Sequence, residues 1–246
     1  MEYLYQFGKY ILMLKELFVR PERKTMYWIE TLRQMYQIGV DSIIIVFIIS
    51  FFIGAVSAVQ FAYNLSTTIT PMYFVGYIVK ESMILEFAPT VSALILAGKV
   101  GSNIASELGT MRLTEQIDAL EIMGVNTASY VIQPKIIAAV VVIPMLVAVA
   151  AFVSIIGGFL STVPTGWLTS ADYIKGLHEF FMPRNVTMMY VKATVFSFIL
   201  TSVSCYQGYY VQGGNIELGQ ASTRAVVYSN ILILLSDYVI ALLLTA

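Results

Sequence analysis

The sequence predicts an all-α integral membrane protein with five transmembrane helices, an N-terminal interfacial helical segment and a short cytoplasmic helix. Of its 246 residues, 58% are hydrophobic and only 12% are charged, about half the charged fraction of a typical soluble domain. Five apolar runs are each long enough to cross the hydrocarbon core, which takes about 20 residues. The runs are continuously apolar, without the alternation that the strands of a membrane barrel require.

The same composition argues against several other classes of protein. A water-soluble enzyme needs more charged residues to cover the surface that faces water, and a disordered chain would have far less apolar surface to bury. The 14 basic and 15 acidic residues leave no basic excess for nucleic-acid binding. The one cysteine, Cys205, excludes an intrachain disulfide, and the one histidine, His178, excludes the multi-histidine zinc motifs.

The first 42 residues are predicted to form an amphipathic segment that lies in the membrane surface. Apolar residues recur there at helical spacing: Leu4, Phe7, Ile11, Leu14 and Phe18. Basic residues lie between and after them: Lys9, Lys15, Arg20, Arg23, Lys24 and Arg33. This pattern indicates one or two interfacial helices, with a soluble helix that packs on a partner as the alternative. It is not typical of a signal peptide, because no compact apolar core precedes a cleavage site.

The five predicted spans follow in residues 43–246, and the whole chain, 1–246, is interpreted as one domain. The spans are Ile43 to Tyr63, Met83 to Ala105, Ile136 to Val163, Met188 to Val211 and Ala225 to Ala246. Pro144 is expected to kink the third span. With the N-terminus inside, nine basic residues lie in inner segments and three in outer ones. This bias predicts a cytoplasmic N-terminus and an outer C-terminus.

The most informative stretch lies between spans two and three. It reads SELGTMRLTEQIDALEIMG and is called the 106–124 segment below. One face carries an apolar stripe of Leu113, Ile117 and Leu120, and the other carries Glu115, Asp118 and Glu121. Thr114 is expected to cap the start of a short helix, and Gly124 to end it.

The charge of this helix indicates what it touches. Helices that float on lipid usually carry lysine and arginine on the polar face. The acidic polar face therefore favours docking into a groove of a soluble partner. The chain has no glycine-rich loop that could cradle a phosphate, so any work that needs ATP requires another chain to bind it.

Small residues within the spans recur at a spacing that favours helix packing. Ala93, Ala97, Gly101 and Ala105 recur every fourth residue, a spacing that lets helices approach closely. Gly54 and Ala58 offer a weaker seam of the same kind.

Four ionisable residues lie inside the predicted spans: Glu86, Lys99, Lys192 and Asp237. At mid-bilayer each would cost about 2.5–3.5 kcal/mol, so each should face protein or water. By depth, Lys192 could reach Glu86 or Asp237. In one interpretation these residues snorkel to the membrane surface or form structural ion pairs. In the other, Lys192 attracts a lipid phosphate as a point charge.

Residues 97–124, AGKVGSNIASELGTMRLTEQIDALEIMG, closely resemble the signature of the MlaE-type permeases. These are membrane subunits of ABC transporters that move phospholipid between Gram-negative membranes, and the plastid lipid importer permease shares the signature. Further matching residues are Gly54, Ala55, Val56, Gln60, Glu86, Ala88, Pro89, GYYVQGG at 208–214, Thr223, Ala225, Val226, Val227, Asp237 and Tyr238. Lys99 stands where the family commonly has arginine, which keeps the charge and loses the planar fork. The chain also departs from the family at 126–127 and 215–218.

The resemblance implies a permease that moves phospholipid between the inner and outer membranes. It implies a bacterial inner-membrane location, with the N-terminus cytoplasmic and the C-terminus periplasmic. The implied partners are a second copy of the chain, an ABC ATPase that binds ATP and Mg, and a periplasmic lipid-carrying subunit of the MCE type. The chain itself is then not an enzyme, and we expect it to bind no cofactor or metal.

The resemblance also assigns roles to residues. It makes the 106–124 segment the element that couples to the ATPase, with these residues in contact or in support: Glu107, Leu108, Gly109, Thr110, Met111, Arg112, Glu115, Ile117, Asp118, Leu120 and Glu121. The lipid pathway is expected to include Glu86, Lys99, Lys192 and Asp237.

Two other functions stay open at this point. An ion-coupled secondary transporter should show internal repeats with broken helices, but five spans do not divide into two halves and no repeat is visible. A non-transporting membrane scaffold would not need an acidic cytoplasmic helix.

Overall fold

A computed structural model describes residues 2–17, 24–67 and 70–245, with side chains described in 5–17, 26–67 and 70–243. Within these ranges the regular structure is entirely helical, so the predicted all-α class is confirmed. The helices are α1 (Glu2–Glu16), α2 (Lys24–Ser66), α3 (Phe74–Leu113), α4 (Gln116–Ile122), α5 (Ala128–Thr162), α6 (Ser170–His178), α7 (Pro183–Tyr209) and α8 (Asn215–Thr245).

Five of the described helices are long and apolar enough to cross a membrane, as predicted. They are Met26–Ser66, Phe74–Leu113, Ala128–Thr162, Pro183–Tyr209 and Asn215–Leu243. Each is longer than the apolar run that predicted it, because helical hydrogen bonding continues past the point where the residues stop being apolar. An apolar run therefore locates a span without fixing the ends of its helix.

The N-terminal segment contains one separate helix. Phe7 and Ile11 of α1 are exposed, as an interfacial helix requires. A second surface helix does not follow, because α2 begins at Lys24 and continues to Ser66. The predicted boundary at residue 42 thus lies inside α2, where no proline interrupts the helix. Phe18, Arg20 and Arg23, and the side chains of Leu4 and Lys24, lie outside the described residues.

Two π-helical stretches widen α3. They cover Met83–Val91, which contains Pro89, and Ala97–Gly101. A proline has no N–H to donate to the helix ladder, and π-helical turns are found frequently at functional sites. Each stretch holds one of the ionisable residues of this span, Glu86 in the first and Lys99 in the second.

The described residues divide into two compact units. The first unit lies within Met1–Ser42, Ala93–Ile143 and Val195–Val239. In it, α3 and α7 approach closely: Gly101 faces the hydroxyl of Ser204, and a Cβ on Gly208 would overlap the backbone of Ala105. The four small residues of the predicted seam are all buried: Ala93, Ala97, Gly101 and Ala105.

The second unit lies within Ile43–Ser92, Pro144–Thr194 and Ile240–Ala246. Its core surrounds Tyr173 of α6, which is fully buried and donates its hydroxyl to the Ile155 carbonyl at 2.9 Å. Gly54 of α2 lies against the carbonyl of Ser154 in α5, where a Cβ would not fit. The weaker predicted seam therefore includes a point of direct backbone contact.

The connection between α5 and α7 folds against α3 in this second unit. Thr169 caps α6, because its hydroxyl accepts the N–H of Asp172 at 3.1 Å. Lys80 of α3 is buried and donates to the carbonyl of Glu179 at 2.8 Å. The start of α3 and the α6 connection thus form one packed structure.

Candidate functional site

The 106–124 segment consists of two helical pieces, and the second is the short helix predicted between Thr114 and Gly124. The first piece is the end of α3, and the second is α4. The break lies at Glu115, whose φ of 59° places it in the left-handed region. Thr114 does not cap α4: its hydroxyl donates to the carbonyl of Thr110 at 2.8 Å. A threonine hydroxyl can satisfy the preceding turn as well as the following one, and here it closes α3.

Gly124 ends α4, as predicted. Its φ of +80° is a conformation that glycine adopts without strain. Its N–H donates to the Glu121 carbonyl at 3.0 Å, and the N–H of Val125 donates to the Leu120 carbonyl at 3.1 Å. This pair of bonds is a Schellman motif, which fixes the direction of the chain after α4.

The predicted apolar stripe, which runs from the end of α3 into α4, faces the protein, and the C-terminal end of α4 faces outward. Ile117 is fully buried, and Leu113 and Leu120 are half-buried. Ile122 and Met123 are 87% and 68% exposed. Such exposure leaves two adjacent large apolar side chains available to a partner.

The acidic face of α4 is partly neutralised by Arg112. Its Nη1 lies 2.6 Å from Asp118 Oδ1 and 3.7 Å from Glu121 Oε1. Glu121 also accepts the hydroxyl of Tyr209 at 3.0 Å, and Tyr209 shares a 2.5 Å hydrogen bond with Thr127. Partly exposed pairs contribute little singly, but together these bonds tie α4 to the end of α7 and the start of α5.

Glu107 has a partner inside the chain. Its Oε2 lies 2.6 Å from the Nζ of Lys135 on α5. The Lys135 side chain is buried, and that of Glu107 is 41% exposed. A buried ammonium needs such a carboxylate nearby, so this pair joins the start of the 106–124 segment to α5.

The remaining predicted coupling residues divide by burial. Leu108 and Gly109 are buried, and a Cβ on Gly109 would overlap the side chain of Leu218 at the start of α8. Met111 is half-buried, while Thr110 and Glu115 are exposed. Leu108 and Gly109 therefore position the segment without reaching its outer surface.

Lys192 and Glu86 meet in the second unit. The Lys192 Nζ lies 2.7 Å from Glu86 Oε1 and donates to the Leu85 carbonyl at 3.1 Å. The lysine side chain is buried, and the glutamate side chain is 51% exposed. Of the two partners that depth allowed for Lys192, the structure therefore shows contact with Glu86.

The other two ionisable residues of the predicted lipid pathway, Lys99 and Asp237, belong to the first unit. Lys99 donates to the backbone carbonyl of Asp41. It lines a polar cavity of about 600 Å³ together with Asp41, Ser42 and Asn103. Asp237 lies on α8 and is half-buried. The structure thus pairs Glu86 with Lys192 and gives Lys99 separate surroundings.

Most of the chain matches a known family of membrane proteins. The family described as "Permease MlaE" matches residues 31–243. The chain belongs to the MlaE permease family. The match includes the 106–124 segment and all four ionisable residues of the spans.

Relatives of this MlaE permease cover most of its length. The "Probable ABC transporter permease protein" of Rickettsia bellii is 38% identical over 89% of this chain and 84% of its own. The "Intermembrane phospholipid transport system permease protein MlaE" of Haemophilus influenzae is 29% identical over 85% and 80%. The chloroplast protein TRIGALACTOSYLDIACYLGLYCEROL 1 of Arabidopsis thaliana is 26% identical over 92% and 64%.

Membership decides the general role of the protein. It is a multi-pass ABC transporter permease, the non-catalytic membrane subunit, and such a permease has an ATPase partner. This favours the ABC permease over the secondary transporter and the scaffold.

Sequence reasoning missed three parts of the site. It did not single out Ile122 and Met123, although two apolar residues just before a helix-ending glycine are a usable signal. Lys135 was one of the nine basic residues counted in inner segments and was given no other role, because its partner Glu107 is 28 residues away. Sequence reasoning included Tyr209 only within the GYYVQGG match and gave it no role, because Tyr209 meets Glu121 only in three dimensions.

No described group of three or more His, Cys, Asp or Glu side chains could hold a metal ion.

Proposed function

We propose that this MlaE permease moves phospholipid between the inner and outer bacterial membranes, driven by ATP and Mg bound to a separate ATPase subunit. The proposal is supported by the H. influenzae relative, whose name states intermembrane phospholipid transport. It is also supported by the family match over residues 31–243. The assembly would contain two copies of this chain and a periplasmic lipid-carrying subunit of the MCE type.

The observation that carries the coupling part of this proposal is the outward-facing end of α4. Ile122 and Met123 are the exposed apolar residues, and they lie outside all five candidate spans. Isolated helices of this length are not stable, so the Schellman motif and the Arg112 contacts must hold the end in place. An apolar pair held rigidly on a short helix suits insertion into a groove of a soluble partner.

The charge bias of the chain supports an orientation in which α4 reaches the ATPase. Basic residues are concentrated in the segments on one side, with nine against three. By the positive-inside rule, that side is cytoplasmic. The N-terminus and α4 then lie in the cytoplasm with the ATPase, and the C-terminus lies in the periplasm.

The lipid part of the proposal places a phosphate at Lys192. The Glu86 carboxylate is about half exposed and can be displaced, whereas the ammonium stays buried beside the Leu85 carbonyl. A lipid phosphate oxygen would then take the place of the Glu86 carboxylate oxygen at a similar distance from the Lys192 ammonium. Lys99 and Asp237 complete the proposed pathway as further charged residues of the spans.

The test is a double variant, Ile122→Asp with Met123→Asp, in the complex purified from its native membrane. We expect the ATPase to be lost from the complex and ATP-driven phospholipid transfer in liposomes to be lost with it. The matched control is Met182→Asp, an equally apolar, exposed residue far along the chain, which should retain the ATPase. If the double variant keeps the ATPase and full transfer, α4 is not the docking element.

A further inference from the structure

A second polar cavity lies between α1, the end of α7 and α8, within the first unit. Its volume is about 400 Å³, and it opens to the surface. Two cations and four tyrosines line it: Lys9, Arg224, Tyr5, Tyr206, Tyr210 and Tyr228. The rest of the lining is three glutamine side chains, so this set has no carboxylate. We call it the Lys9–Arg224 pocket.

Neither cation of the pocket is neutralised by an acidic residue in the described part of the chain. The Nζ of Lys9 lies 3.8 Å from the centre of the Tyr210 ring. This cation–π contact is attractive, but the ring carries no charge that would neutralise the ammonium. Arg224 donates to the amide oxygen of Gln220 at 3.2 Å. Two positive charges beside hydroxyl and amide donors make a surface that suits an oxygen-rich anion.

The tyrosines can act as donors to such an anion. Burial raises the pKa of Tyr210, and the nearby Glu16 carboxylate raises it further. Its hydroxyl therefore keeps its proton at neutral pH. The pocket wall is also held in place, because the Tyr206 hydroxyl donates to the Gln6 carbonyl at 3.1 Å and Tyr10 shares a 2.7 Å hydrogen bond with Ser202.

The position of the pocket on α1 indicates where the anion comes from. At 3.6 residues per turn, Phe7 and Ile11 lie on the face of α1 opposite Lys9. Both are exposed, at 62% and 49%. A helix of this kind sits at the depth of the lipid headgroups, with its apolar face in the acyl chains. Basic pockets beside membrane spans at that depth bind anionic headgroups.

We propose that the Lys9–Arg224 pocket binds the phosphate of an anionic phospholipid from the membrane surface next to α1. This lipid is distinct from the transported one, and the proposal does not depend on the direction or occurrence of transport. By contacting α1, α7 and α8 together, the bound headgroup would hold the N-terminal helix against the spans. Free phosphate shares the relevant chemistry, so the experiment must separate the two sources.

The experiment measures lipid binding to the full-length protein, purified in detergent with its native partners and stripped of lipid. Phosphatidylglycerol is titrated and bound lipid is counted by native mass spectrometry, with phosphatidylcholine and inorganic phosphate as the other probes. We expect phosphatidylglycerol to bind preferentially and Lys9→Gln with Arg224→Gln to weaken binding about tenfold or more. The control is Lys15→Gln, which removes an exposed charge from the same helix outside the pocket and should bind normally.

The remaining outcomes overturn the proposal in different ways. Equal binding of phosphatidylcholine would refute a preference for anionic lipid, and an equal loss in Lys15→Gln would refute a specific pocket. Displacement of the lipid by millimolar inorganic phosphate would assign the site to a free anion.

A second measurement needs no variant, so misfolding cannot obscure it. A photoreactive phosphatidylglycerol is crosslinked to the unaltered protein, and the labelled peptides are mapped. Labels on α1 and on residues 206–212 support the pocket, and labels confined to other helices contradict it.

Discussion

Two buried lysines of this permease form nearly identical ion pairs in different surroundings. Lys135 lies 2.6 Å from Glu107 in the first unit, and Lys192 lies 2.7 Å from Glu86 in the second. In both pairs the lysine side chain is 3% exposed and the carboxylate is partly exposed. The Lys192 ammonium has the Leu85 carbonyl as a second acceptor at 3.1 Å, whereas Glu107 is the one acceptor that the described residues provide for Lys135.

This difference indicates that Glu107 and Lys135 form a structural pair, whereas Lys192 can exchange the Glu86 carboxylate for another anion. If the Glu107 carboxylate is removed, a buried ammonium is left without its counter-charge, which is strongly unfavourable. If the Glu86 carboxylate moves away, Lys192 keeps a backbone oxygen and can accept a phosphate in its place. Distance and burial alone would not distinguish these two roles.

The largest expected effect is on stability, through Glu107→Ala. We expect a loss of about 2–3 kcal/mol in the free energy of unfolding, below the range for fully buried pairs because Glu107 is partly exposed. The measurement is unfolding in detergent, with Glu86→Ala as the matched comparison and a smaller expected loss. The double variant Glu107→Leu with Lys135→Met should recover most of the stability, because an apolar pair needs no counter-charge.

Equal losses in Glu107→Ala and Glu86→Ala would break the comparison. The two pairs would then be equivalent, and the Leu85 carbonyl would give Lys192 no independent support.

The next effect is on transport, through Lys192→Met. We expect ATP-driven phospholipid transfer to fall about tenfold, as the loss of one charge-assisted contact to phosphate implies. Methionine keeps the length of the side chain, so packing should change little. The control is Lys175→Met on α6, whose ammonium lies over the Tyr73 ring at 4.6 Å and has no place in the proposed pathway. A similar loss in both variants would point to general destabilisation.

The smallest effect concerns Tyr209, which joins Thr127 to Glu121. Tyr209→Phe removes one hydroxyl from this network and should destabilise the protein by about 1 kcal/mol. Because the network positions α4, we also expect weaker retention of the ATPase at high salt. Retention is measured by co-purification across a salt series, with Tyr63→Phe, an exposed tyrosine on α2, as the control. An unchanged salt response would show that α4 is held by its apolar contacts and the Schellman motif alone.

The spans could be predicted because the composition of each apolar run determines them. The ends of the helices could not be predicted, and neither could the contacts that their side chains make. Apolar runs of about 20 residues are visible in one dimension, and all five are found. The ends of α2 and α3 depend on polar residues that continue a helix beyond the apolar run. The predicted cap at Thr114 was wrong because a threonine hydroxyl can either accept an N–H of the following turn or donate to a carbonyl of the preceding one. Here it donates to Thr110, and Glu115 in the left-handed region separates it from α4.

The candidate site was predictable as a segment and less so as individual residues. The acidic α4 face suggested a docking surface, but Arg112 and Tyr209 engage two of its carboxylates within the chain. Ile122 and Met123 are visible in the sequence as two apolar residues before Gly124, but the fold was needed to show that both are exposed. The sequence singled out Glu86 and Lys192 because charged residues are costly inside a membrane. That the two side chains are in contact became visible only in the fold.

The most direct test of the account is phospholipid transferred per ATP hydrolysed by the reconstituted complex. We expect Lys192→Met to keep its ATPase subunit and transfer less lipid per ATP. The variant Ile122→Asp with Met123→Asp should lose the ATPase and all ATP-driven transfer. Normal transfer per ATP in Lys192→Met would contradict the proposed phosphate site, and normal transfer in the α4 variant would contradict the proposed coupling.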